Sequence, residues 1–111
     1  MSSIDEGWVP EACTLPTVEQ PLRLAEFDSL FATGLVGQER VAPHALRWSL
    51  DPKVESLARD LTARETACCS FFTFTFTAEP QSLRVDVQVP PAQVRVLDAL
   101  AVRAAAGMAA V

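Results

Sequence analysis

The sequence predicts a single α+β domain in which a small three-stranded sheet is packed by helices on one face, in the order α-β-α-β-β-α. Three observations carry this reading. Apolar residues recur near helical period around residues 22–35, 54–68 and 94–104; they alternate with polar residues at period two around 46–50, 72–77 and 83–89; and Gly- or Pro-bearing breaks separate most of these stretches. With 111 residues, 50% of them hydrophobic and 21% charged, the chain suits one compact core, and no repeat or linker divides it.

Residues 1–20 hold Pro10 and Pro16 among polar residues and isolated apolar ones, which reads as an N-terminal arm carrying Cys13; residues 21–111 form the domain. Pro21 suits a first helical turn, and Leu22, Leu24, Ala25, Phe27, Leu30, Phe31 and Leu35 give a broad apolar stripe. Gly34 and Gly37 weaken its end, so residues 37–43 read as a loop. Leu46, Trp48 and Leu50 then alternate with Arg47 and Ser49 as the first strand.

Asp51-Pro52 marks a helix start, with an acidic cap and a proline at the first helical position. The helix is expected to run to about Cys69, with Val54, Leu57, Leu61 and Cys68 on the core face and Cys69 turned away by about 100°. Phe72, Phe74 and Phe76 alternate with threonines, and Leu83, Val85, Val87 and Val89 alternate with Arg84, Asp86 and Gln88, which predicts an antiparallel hairpin around Glu79-Pro80-Gln81. After Pro90-Pro91, a final helix carries Val94, Leu97, Leu100, Ala101 and Ala104. The first helix is expected to cover an end or edge of the sheet. An edge strand remains exposed in such a sheet, and either the arm or a second copy in a homodimer would cover it.

The net charge of −5 and nine scattered Lys and Arg residues argue against a nucleic-acid partner. No apolar run is long enough to span a bilayer, and the first residues lack a basic start and an apolar signal core, so a soluble cytoplasmic protein is expected. Four glycines and one histidine leave little for a phosphate-cradling loop or a hydrolase triad, and no cofactor is implied with certainty.

The chemistry concentrates in ETACCSFF, residues 65–72. Cys13, Cys68 and Cys69 are an odd set with an adjacent pair, which is not a disulfide framework; a 68–69 bridge would be strained, and free thiols are expected in a reducing cytosol. Cys68 falls on the expected core stripe, whereas Cys69 falls off it and becomes the better exposed ligand or nucleophile. Glu65 lies three and four residues before the pair, on the same helix surface, where it would act as an acid or base; the plainer alternative is a solvated charge paired with Arg64 or another surface residue. The C-terminal end of a helix opposes thiolate formation, a conflict that a soft cation would resolve by displacing the thiol protons. Two sulfur ligands, or three with Cys13, suit mercury(II), copper(I) or trivalent arsenic. His44, roughly in phase with Leu46 and Trp48, is read as incidental.

The stretch Glu65-Thr66-Ala67-Cys68-Cys69-Ser70-Phe71, with the strands and helix that follow it, resembles a Glu-x-x-Cys-Cys-x-Phe thiol module of small bacterial proteins that is also appended to some MerR-type metal-responsive regulators. The likeness covers about residues 44–106 and implies a role in heavy-metal response. A looser likeness is to organomercurial lyase, whose Cys-x-x-Asp segment and later Cys-Cys pair are matched in part by Cys13-Thr14-Leu15-Pro16 and by Ala67-Cys68-Cys69-Ser70-Phe71-Phe72; the acidic position is Pro16 here. The leading expectation is a thiol protein that binds a soft metal or organometal through Cys68, Cys69 and Cys13. The alternatives are an enzyme using Cys13 or Cys69 with Glu65 as acid or base, in carbon–metal cleavage or thiol redox chemistry, and a structural dimerisation module.

Overall fold

A computed structural model describes residues 20–109. The elements run α1 (Gln20–Gly34), β1 (Leu35–Ala42), β2 (Ala45–Leu50), α2 (Glu55–Cys68), β3 (Thr73–Ala78), β4 (Leu83–Gln88) and α3 (Val94–Ala109), with single 3-10 turns at Pro52–Val54 and Pro91–Gln93. The four strands form one antiparallel sheet in the order β1-β2-β4-β3.

This corrects the expected fold: the sheet has four strands rather than three, and the order is α-β-β-α-β-β-α. The missed strand is β1, in the stretch expected to be a loop. Its sequence LVGQERVA has neither a clean period-two apolar pattern nor strong strand formers in the middle. Pairing rather than propensity makes it a strand. The two-residue turn at Pro43-His44 folds it onto β2, with Leu35 opposite Leu50 and Ala42 opposite Ala45, and two register irregularities absorb its mismatch. Gln38 shows what anchors it: its side-chain amide donates to the Ala101 carbonyl at 3.0 Å, and its Oε1 accepts from Trp48 Nε1 at 2.8 Å.

The expected hairpin is present, with Phe74 opposite Val87 and Phe76 opposite Val85. One sheet face presents Leu46, Trp48, Leu50, Leu83, Val85 and Val87 to the core, all nearly inaccessible. The opposite face carries Arg47, Ser49, Arg84 and Asp86, with Arg47 Nε bonded to Asp86 at 2.9 Å, so the helices share one side of the sheet as expected. At the start of the α2 segment, Asp51 caps as predicted, its carboxylate accepting from the Lys53 backbone N–H at 2.9 Å.

The first helix does not sit at an edge. Phe27, Leu30 and Phe31 of α1 are fully buried, and Phe31 meets Trp48 of central strand β2 edge-on, with ring centroids 5.2 Å apart. Close approach to α3 explains Gly107: a Cβ there would stand 2.5 Å from the Phe31 Cβ.

Candidate thiol site

The site begins with the rotation of α2. Its buried face is Ala58, Leu61, Thr62 and Glu65, at helical spacing after Val54 and before Cys69. Leu57, expected on the core stripe, is 42% exposed. The buried face keeps Val54 and Leu61 but is centred about 60° away from the face that the larger apolar side chains suggest. That rotation exchanges the two cysteines. Cys69 is 0% exposed and belongs to the hydrophobic core, whereas Cys68 is half-buried at its margin.

The expectation of Cys69 as the exposed ligand or nucleophile is thus corrected. Cys69 ends the helix, its N–H donating to the Glu65 carbonyl at 2.7 Å and its carbonyl accepting from the Phe72 N–H at 3.2 Å. It is also disulfide-bonded, contrary to the expectation of free thiols, and Cys68, which retains its thiol, is not the partner. Cys13 and the arm that carries it lie outside the described residues.

Glu65 is not a solvated surface charge. Its side chain is 1% exposed, and Arg23 of α1, itself 8% exposed, reaches it with Nη1 2.7 Å from Oε1. Burial pushes the Glu65 carboxyl above the ordinary carboxylate range, and the hydrogen bond and charge of Arg23 only partly oppose that rise. The same guanidinium turns its other terminal nitrogen, Nη2, toward Cys68 Sγ at 4.0 Å, while Nε stands 3.5 Å from Glu26. Glu26 in turn holds Arg64 at 3.0 Å, and Arg64 holds Asp60 at 3.0 Å. Arg64 therefore pairs with Glu26 and Asp60, and the partner of Glu65 comes from another helix.

The resulting unit is one buried guanidinium spanning a carboxyl and a half-buried sulfur. It supplies a thiol for a soft electrophile, a cation beside that sulfur, and a carboxyl disposed to hold a proton. Arg23 escaped the sequence reading because it lies 42 residues from Glu65, although it falls at the helical repeat of Phe27 and Leu30 on the buried stripe of α1. One signal was present: a polar residue at the helical repeat of Ala58 and Leu61 implies a buried charge that needs a partner. His44 lies exposed in the β1–β2 turn, where its carbonyl accepts from the Val89 N–H at 3.1 Å. Among the described residues, no three His, Cys, Asp or Glu side chains are grouped to hold a metal ion, and no helix is long and apolar enough to cross a membrane.

The chain matches no family model, no curated protein and no solved structure.

Proposed function

We propose that this chain is a thiol protein that takes up a soft heavy-metal ion or organometal at Cys68, in metal resistance or handling. The observation that carries the reading is the Arg23 guanidinium shared between Glu65 and Cys68 Sγ. A sulfur next to a buried cation has a compensating charge for the negative form that binds soft metals. Linear two-sulfur coordination needs only one further sulfur beside Cys68; Cys69 offers it once its disulfide is reduced, and Cys13 is the other candidate. The Glu-x-x-Cys-Cys-x-Phe likeness points the same way.

A second reading, catalysis at this site, is favoured by the raised Glu65 carboxyl. Cleavage of a carbon–mercury bond transfers a proton to carbon while sulfur keeps the metal, and a carboxyl that holds its proton more readily than usual is suited to supply it.

The test uses the dithiol-reduced protein under anaerobic conditions, titrated with mercury(II), phenylmercury, arsenite and copper(I), with thiolate-to-metal absorption and benzene release as readouts. Uptake that is lost in Cys68→Ser and weakened in Arg23→Met supports capture, and benzene release lost in Glu65→Gln adds catalysis. Absence of uptake of all four, with Cys68→Ser as stable as the parent, sinks both readings.

A further inference from the structure

We propose that β3 is a dimerisation strand: two copies pair Thr73–Ala78 antiparallel about a two-fold axis at Thr75, joining their four-stranded sheets into one. The inference stands independently of the thiol site.

The two sheet edges are built differently. β1 has the devices that blunt an edge: Glu39 and Arg40 in mid-strand, Gly37, and irregular register at both ends of its pairing with β2. β3 has none of these. TFTFTA contains no charge, glycine or proline, and its register with β4 is regular over all six pairs from Thr73–Gln88 to Ala78–Leu83. In a protein of net charge −5, an uncharged regular edge is where two copies can approach without like charges opposed.

The strand is also complementary to itself. Thr73-Phe74-Thr75-Phe76-Thr77 reads the same in both directions. A two-fold axis at Thr75 therefore sets Thr75 against Thr75 of the second copy, Phe74 against Phe76, and Thr73 against Thr77. An isologous interface requires this kind of match, and aromatic cross-strand pairs are among the favourable ones.

The space beside the strand fits the same occupant. Phe74 and Phe76 are only half-buried and face α2 across an open groove that Arg59, Thr62, Ala63 and Thr66 line, with the Arg59 guanidinium 4.5 Å above the Phe76 ring. On pairing, the second copy's phenylalanines extend this apolar layer, while Thr73 and Thr75 remain on the polar sheet face.

Sedimentation equilibrium of the full chain is expected to show a species of twice the 12.0 kDa chain mass that dissociates on dilution. Thr75→Lys places like charges directly opposite at the axis and shifts the population to monomer with an unchanged circular dichroism spectrum. Because that variant tests the fold as well, Thr75→Cys provides a second arm. Directly paired strand residues have Cα atoms about 4.5–5.5 Å apart, within disulfide reach, so mild oxidation gives a covalent dimer above the parent's background. Thr77→Cys, which faces Thr73 of the other copy, does not. A parent chain that stays monomeric at its highest attainable concentration overturns the proposal, and is the result expected if residues 1–19 cover β3 in the same chain. A dimer indifferent to Thr75→Lys, or equal cross-linking at positions 75 and 77, overturns it too.

Discussion

Replacing Arg23 with methionine isolates the interaction on which the candidate site depends. The aliphatic stem is kept, the guanidinium is lost, and Glu65 is left with a side chain 1% exposed and no cation at 2.7 Å. Breaking a buried ion pair from one side costs about 3–5 kcal/mol, a large share of the roughly 5–15 kcal/mol that holds a domain together. Glu65 has an escape, because it can take a proton, and its carboxyl already does so more readily than usual. The deficit is therefore pH-dependent. In the parent, the raised carboxyl gives a contribution that is complete below its ordinary value of 4.5 and is lost as pH rises toward the folded value. Without Arg23 the folded value rises further, so the variant keeps losing stability to higher pH than the parent does. Urea unfolding followed by circular dichroism should show a deficit of about 3–5 kcal/mol near neutral pH that shrinks on acidification toward about pH 5. Glu65→Gln is the contrasting variant: its amide oxygen still accepts from Arg23, and Glu26 at 3.5 Å still balances the guanidinium, so a smaller loss of about 1–2 kcal/mol is expected. An Arg23→Met deficit below about 1 kcal/mol at neutral pH, or one that does not shrink in acid, would refute the reasoning.

Two further predictions test what positions the site. Gln38→Ala leaves the indole N–H of fully buried Trp48 without its 2.8 Å acceptor, which should cost about 1–3 kcal/mol in chemical unfolding; a neutral result would mean that β1 is not held to the core through Gln38. Gly107→Ala should lower the melting temperature although alanine favours a helix by about 1 kcal/mol, because the added Cβ meets Phe31 Cβ at 2.5 Å and overpacking costs about 1–3 kcal/mol; a raised melting temperature would contradict the close α1–α3 approach.

By itself, the sequence determined the elements whose local pattern is strong. The Phe/Thr and Leu/Val alternations specify the β3–β4 hairpin, Asp51-Pro52 specifies the start of the α2 segment, and Leu97, Leu100 and Ala104 mark the face that α3 buries. It also brought Glu65 and the cysteine pair together, because helical neighbours three and four residues apart share a surface. Tertiary structure decided the rest. β1 exists because a strand partner supplies its hydrogen bonds, which no pattern in LVGQERVA announces. The rotation of α2 depends on which face the rest of the core accepts. Small Ala58 and polar Thr62 and Glu65 are packed inward while Leu57 is left out, and that rotation of about 60° buries Cys69 and leaves Cys68 at the margin. Arg23 is joined to Glu65 and Cys68 across 42 and 45 residues by helix packing alone. Local spacing thus named the cysteines and the acid, and only the packed core could decide which sulfur is accessible and which cation stands beside it.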